Sequence, residues 1–390
     1  MDKRKRVGLI FSYNEEWIGG TYYILNIIHA LQCVDDVNKP TIVLLSDKKE
    51  NFNLVKQETS YPYIEFFKIP LVREKFTLVD KIINKVSYIF LKKLPIKKGF
   101  IPPNIDMLYP SGVKNLAIDK LKKINWIPDF QEAHLPQYFS EQEIEERKKF
   151  QKEVVCEGDI VVFSSEDSKQ DFELMYKNTE INKVVLNFAV THPDYSSENI
   201  NKLVTKYALP NAYFFSPNQF WAHKNHIVIL KAVKELKEQG CEIVVAFSGK
   251  ERDYRNLENF TSLKAYITDN KLEANIKFLG FISREEQLCL MKHAIAIVQP
   301  SLFEGWSTVV EDAKALNKHI ILSNINVHTE QIKQNMSFFK PNNEKDLATI
   351  LKQFNLVSPV VEELDYQEDI TKFGEAFLKL VNLATRENNI

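Results

Sequence analysis

Residues 298–323 read VQPSLFEGWSTVVEDAKALNKHIILS. An apolar strand ends at Val298. A short loop then holds Pro300, Phe303, Glu304 and Gly305, and a helix begins near Ser307 or Thr308. The run 319–322, HIIL, reads as the next strand. Strand, helix and strand in that order make a βαβ unit, which joins parallel neighbours. Upstream the alternation recurs, with strand candidates at 213–216 (YFFS), 242–247 (EIVVAF), 276–278 (IKF) and 295–298 (IAIV). Nearer the N-terminus lie 6–11 (RVGLIF), 41–45 (TIVLL), 160–164 (IVVFS) and 184–189 (VVLNFA). Short apolar strands alternating with helices predict α/β architecture with parallel sheets built of βα units. Residues 190–211 read as a linker plus one helix, so the reading places one domain over 1–200 and a second over 205–365. A final helix, roughly 366–386 within the segment 366–390, closes the chain.

The totals narrow the function classes. A chain of 390 residues with 44% hydrophobic and 26% charged content is an ordinary globular protein of two or three domains, able to bury its own cores. Its 11 glycines form neither GxGxxG nor GxxxxGK[ST], which excludes the two best-known glycine-rich phosphate loops. Cys33, Cys156, Cys241 and Cys289 are far apart and form no CxxC, so buried free thiols are expected rather than disulfides or metal ligands. The basic start MDKRKRVGLIF resembles a signal n-region, but Asn14, Glu15 and Glu16 cut the apolar run short. No run of about 18 apolar residues appears, so a cytoplasmic protein is expected.

Net charge is −1 overall, yet residues 1–123 carry +8 and the rest −9. Residues 73–98 hold eight Lys/Arg against Glu74 and Asp80, interleaved with apolar side chains. Such a segment is either a membrane-surface helix or a helix with a solvated basic face, and the sequence weights the two equally.

Two blocks carry chemistry. In 298–323 a strand end feeds a helix N-terminus, whose free amides form an anion site without a glycine-rich loop. Glu304 stands just ahead of that helix, and Glu311 and Asp312 lie inside it. A carboxylate beside a phosphate makes sense where it accepts sugar hydroxyls. An ordinary N-terminal acid favoured by the helix dipole is the plain alternative for any one of them. In 213–232, YFFSPNQFWAHKNHIVILKA, a strand leads through Pro217, Asn218 and Gln219 to Lys224 at a loop-to-helix turn. An ammonium there can neutralise a diphosphate. His223 and His226 lack a third ligand candidate, so zinc is not indicated and a capping or surface role is expected.

Glu304–Gly305–Trp306 followed by Asp312, with Lys224 upstream, resembles glycosyltransferase family 4. Those enzymes are retaining, nucleotide-sugar-dependent transferases of GT-B fold: two Rossmann-like domains face a central cleft, and a C-terminal helix crosses back to the first domain. The family motif has two Glu separated by seven residues, and here the second position is Asp312. The family's Arg five residues before the Lys is Gln219 here. Many relatives carry His where Pro128 stands. The resemblance is strongest over roughly 213–330 and continues more loosely through 126–136, 161–172 and the Gly19–Gly20 loop.

The resemblance implies roles. Lys224 would bind the donor diphosphate and Glu304 the transferred sugar; these two are the catalytic candidates. Asp312 would hold the ribose, and amides around Ser307, Thr308 and Val309 the distal phosphate. Gly280 and Phe281 would border the nucleobase. Gln219, Gly305 and Trp306 complete the donor set, and Gly19 and Gly20 would let backbone approach the phosphate. Asp129, Gln131 and His134 are candidates for the acceptor side. No cofactor and no metal are expected: retention by front-side attack needs no protein nucleophile, and no DxD tripeptide is present. The expected partners are a nucleotide sugar and a saccharide or lipid-linked saccharide, with a possible inner-membrane contact through 73–98 and no nucleic acid. Two rival readings are a sugar-nucleotide-binding protein that has lost catalysis and a GT-B epimerase.

Overall fold

The computed structural model describes residues 4–13, 18–69, 77–91, 104–111 and 121–386. Within them the strands are β1 (Arg6–Ile10), β2 (Thr41–Ser46), β3 (Ile64–Lys68), β4 (Met107–Tyr109), β5 (Ile124–Ile127), β6 (Ile160–Phe163) and β7 (Asn182–Val185) in the N-terminal part. In the C-terminal part they are β8 (Phe214–Ser216), β9 (Val245–Phe247), β10 (Ile276–Phe278), β11 (Ile297–Gln299), β12 (Ile320–Ser323) and β13 (Met336–Phe339). Three sheets result, with orders β3-β2-β1-β4, β5-β6-β7 and β10-β9-β8-β11-β12-β13. Every strand pairing recorded among them is parallel. The expected α/β class and GT-B layout are thus observed.

The central strands β1, β2, β6, β8 and β12 are apolar except at their ends, where Arg6, Thr41, Ser46, Ser216 and Ser323 stand, because helices cover both faces. The strands that the pattern missed are short or lie at an edge. Edge strand β3 carries Glu65 and Lys68, which blur its periodicity, and β4 is three residues long. The expected strand 184–189 stops at Val185; Leu186, Phe188 and Ala189 continue as buried irregular chain.

The Gln367–Thr385 helix crosses back onto the Ile18–Gln32 helix. Its Phe373, Phe377, Leu380, Val381 and Ala384 join the N-terminal core. The two helices touch at Gly374, where an added Cβ would lie 2.4 Å from the Ala30 carbonyl oxygen. Only glycine permits that approach.

Three expectations are corrected. Only Cys289 is buried: Cys33 and Cys156 are exposed and Cys241 intermediate, all four being free. His223 and His226 are buried, not surface residues. Gly19 and Gly20 lie in the first turn of the Ile18–Gln32 helix rather than in a loop. In the basic segment, Leu78–Leu91 is helical, while 73–76 and 92–98 lie outside the described residues. None of the described helices is long and apolar enough to cross a membrane.

Candidate active site

One cleft gathers the ends of strands from both parts of the chain. Its C-terminal wall comes from Pro217, Asn218, Gln219, Trp221, His223 and Lys224 after β8, and from the 303–309 stretch after β11. Its N-terminal wall comes from Gly19, Gly20 and Tyr23, from Trp126, Pro128, Asp129 and Gln131, and from Ser164 and Phe188. Strand C-terminal ends facing one crevice are where open parallel sheets bind ligands.

Lys224 ends a single 3₁₀ turn, Ala222–Lys224, which Asn225 closes in the left-handed region at φ 54°. That turn is tied to the β11 loop by Leu302 N–H donating to the His223 carbonyl at 2.8 Å. The tie sets Lys224 Nζ 2.5 Å from Glu304 Oε1. Ser301 Oγ donates to the same oxygen at 2.6 Å and Gln299 Nε2 at 2.8 Å. Burial pushes the Glu304 carboxyl up, but the Lys224 ammonium and the Ser301 bond more than offset this, so it sits below the usual glutamate range. His328, beneath the same loop, is pushed down to about 4 by burial and is neutral at pH 7. Lys224, not His328, is therefore the cation that keeps Glu304 ionised. Burial, with Lys224 and Arg255 nearby, holds His223 well below the ordinary histidine range.

The Thr308–Ala315 helix begins at the cleft. Thr308 and Val309 line it, and first-turn amides have no acceptor within their own helix. The Ser307 amide differs: it donates to Gln331 Oε1 at 3.0 Å. Of the three expected phosphate amides, two are open to a ligand.

Gly305 has a role the sequence reading did not foresee. An added Cβ there would lie 2.5 Å from the Pro128 carbonyl oxygen and 3.0 Å from Asp129 Cβ. Glycine is required because the opposite domain docks on it. At Gly19, by contrast, an added Cβ would meet nothing within 4 Å, since it would point into open space. Trp306 Nε1 donates to the Phe188 carbonyl across the cleft at 3.0 Å.

The structure brings Lys224, Glu304, Gln219, Gly305, Trp306, Ser307, Thr308, Val309, Gly19, Gly20, Asp129 and Gln131 to one cleft. Asp312, Gly280, Phe281 and His134 are not among its lining residues. Asp312 is buried, turned to Arg284, whose guanidinium binds both carboxylate oxygens, and to His192 Nε2 at 3.1 Å. Burial raises its carboxyl, and Arg284 and His192 bring it below the usual aspartate range. Its oxygens are thus committed within the protein. Gly280 and Phe281 follow β10 in a separate loop, where the Gly280 carbonyl accepts from Gly249 N–H at 2.9 Å. His134 pairs with Asp171 at 2.7 Å and lies against the Phe303 ring, 5.0 Å between centroids. On the N-terminal wall burial raises the Asp129 carboxyl, and Arg147 at 3.6 Å offsets this only in part.

Sequence reasoning placed Trp306 in the site but missed the rest of the aromatic lining. Tyr23 stacks on Trp126 with centroids 4.1 Å apart, and Phe188, Trp221, Phe303 and Trp306 complete the set. Three of the four tryptophans of the chain line this cleft, and that concentration was the available signal. Among the described residues, no group of three or more His, Cys, Asp or Glu is arranged to hold a metal ion.

The family described as Glycosyl transferases group 1 matches residues 200–367. The O-antigen chain mannosyltransferase RfbU of Salmonella typhimurium is 27% identical over 171 residues, 44% of this chain and 46% of that protein. The matched region therefore spans a little under half the length of that relative. Among solved structures, a glycosyltransferase from Rickettsia africae superposes with TM-score 0.59 at 16% identity, covering 98% of this chain and 94% of that one. Anabaena HepE, solved with UDP and glucose, gives 0.60 at 15% identity over 98% and 96%. At those identities the structural likeness establishes the fold. Residues 200–367 thus match the glycosyl transferases group 1 family, within a chain of GT-B fold.

Proposed function

We propose that the protein is a retaining glycosyltransferase that holds a nucleotide sugar against the C-terminal wall of the cleft and a saccharide acceptor against the N-terminal wall. The observation that carries this reading is the Lys224–Glu304 pair, 2.5 Å apart at the head of the Thr308–Ala315 helix. An ammonium and two open helix amides suit a diphosphate, and an ionised carboxylate beside them suits sugar hydroxyls. The acceptor hydroxyl attacks C1 from the face that the diphosphate leaves. The new C1–O bond forms as the C1–O–phosphate bond breaks, and the proton passes to the departing phosphate oxygen. Lys224 and the Thr308 and Val309 amides stabilise the charge that develops there, and the walls supply orientation. No protein base and no metal are required by this scheme. The likeness to HepE with UDP and to the O-antigen enzyme RfbU supports a nucleotide sugar and a role in surface polysaccharide assembly.

A lipid-linked acceptor at the cytoplasmic membrane face is part of the same reading. Leu78, Val79, Ile82, Ile83 and Val86 are exposed and form one stripe of the Leu78–Leu91 helix, beside Lys81 and Lys85. Co-sedimentation with anionic vesicles should fall when Ile82 and Ile83 become Ser; binding that survives the change would refute the contact.

Turnover tests the main reading. Incubation with UDP-, GDP- and ADP-sugars should release nucleotide from one of them, with EDTA present, and Glu304→Ala should abolish the release. Tight binding of a sugar nucleotide without release would support the binding-only reading. A sugar epimerised with its nucleotide released, and no glycoside formed, would support the epimerase.

A further inference from the structure

We propose that Glu330 is a positioning residue: a helix cap lent by the C-terminal domain to the N-terminal domain, which holds the two cleft walls in register. The Glu166–Met175 helix starts after Ser165, whose Oγ takes the Ser168 N–H at 3.1 Å. Its earlier amides have no acceptor within the helix. Glu330 supplies the missing acceptors from the other half of the chain. Its Oε1 accepts from Glu166 N–H at 2.9 Å and its Oε2 from Asp167 N–H at 3.2 Å. Asn187 Nδ2 reaches Glu330 Oε1 at 3.4 Å, and Asn326 Nδ2 donates to Asp167 Oδ1 at 2.9 Å. A carboxylate on two amides of a helix N-terminus is favoured both by charge-assisted bonding and by the helix dipole. The like charges nearby are drawn aside: the Glu166 carboxylate pairs with Lys169 at 3.1 Å, and that of Asp167 takes Asn326.

The same short helix, Asn326–Gln331, is fastened to the catalytic wall. Gln331 accepts from Ser307 N–H at 3.0 Å and donates to the Ser307 carbonyl and Glu311, each at 2.8 Å. His328 lies under the Glu304 loop, its Nδ1 2.8 Å from the Ser323 carbonyl. Adjacent residues of one helix thus grip the donor side (Gln331) and the acceptor-side domain (Glu330). If the cap opens, the N-terminal wall loses one of its ties, leaving the Gly305–Pro128 and Trp306–Phe188 contacts to hold it, while the donor wall stays intact.

Two readouts on the full chain test this. The first is amide hydrogen exchange at Glu166 and Asp167 without ligand, and it stands whether or not the protein transfers sugar. In Glu330→Ala these two amides should exchange about fivefold faster or more, with β6 unchanged. Glu330→Gln, which keeps one acceptor oxygen, should fall between. The second readout rests on the proposed function: the Kd for UDP should shift less than about twofold while kcat for transfer falls about tenfold. Parental exchange at 166 and 167 in Glu330→Ala overturns the cap. UDP affinity falling in step with kcat overturns the positioning role. If the parent transfers nothing, the proposed function fails, and the exchange result alone still decides the cap.

Discussion

On its C-terminal wall the cleft presents charge among rings, with Lys224 set against Glu304 at 2.5 Å beside Trp221, Phe303 and Trp306, whereas on its N-terminal wall it presents rings with no Lys or Arg among the described lining residues, Tyr23 being stacked on Trp126 at 4.1 Å with Phe188 beside them. The difference fits two ligands of different chemistry. A diphosphate needs fixed positive charge where its own charge grows. A saccharide presents apolar faces to rings and hydroxyls to groups such as Asp129 and Gln131. It also shows how unequal two neighbouring carboxylates can be: Glu304 opens to the cleft, while Asp312, eight residues on, is closed by Arg284 and His192.

The largest expected effect breaks the charged wall. Lys224→Ala leaves Glu304 without its cation and removes the charge opposite the leaving group. Transfer should fall about 10³-fold in kcat; a loss of less than tenfold would mean that the wall works without that charge. Gly305→Ala attacks the junction between the walls. Its Cβ would lie 2.5 Å from the Pro128 carbonyl oxygen, so the domains cannot dock as they do here. We expect about a 10- to 100-fold fall in kcat with little change in UDP binding. Trp126→Leu attacks the aromatic wall and should raise the acceptor KM about tenfold, leaving UDP affinity alone.

The charged wall was legible in the sequence because its residues are consecutive. Glu304 to Val309 span one strand–loop–helix turn, and Lys224 sits at the equivalent turn of another βα unit. The parallel fold was legible for the same reason, since β1, β2 and β6 each hold a run of four apolar residues, 7–10, 42–45 and 160–163. The aromatic wall was not, because Tyr23, Trp126 and Phe188 come from three distant segments. Each alone looks like any core aromatic. Nor could spacing show that Asp312 turns inward, because the partner that closes it, Arg284, begins a different helix. Glu330 gave no signal at all: its acceptor role exists only where two domains meet.

Smaller effects separate stability from chemistry. Gly374→Ala forces a Cβ to 2.4 Å from the Ala30 carbonyl oxygen, remote from both walls. It should cost about 1–3 kcal/mol by thermal or denaturant melting, with unchanged activity per folded molecule. His328 provides a pH test. Burial lowers it from 6.5 to about 4, so the fold favours its neutral form. Its contribution is complete above pH 6.5 and is lost as pH falls from 6.5 towards 4, because the unfolded chain takes the proton first. The loss should be roughly 3 kcal/mol. His226 and His319, lowered to about 3 and about 4, add slopes of the same sign. In His328→Gln the decline should be shallower by one such share; an unchanged slope would show that His328 does not titrate in this way.

The C-terminal wall is expected to recognise phosphate through Lys224 and the head of the Thr308–Ala315 helix. This recognition is tested most directly by calorimetric titration of UDP and of uridine into the parent and into Lys224→Ala. UDP should bind the parent at least about 100-fold more tightly than uridine, and the gap should shrink about tenfold or more in the variant. Equal affinity for UDP and uridine in the parent, or a gap that survives the loss of Lys224, would contradict it.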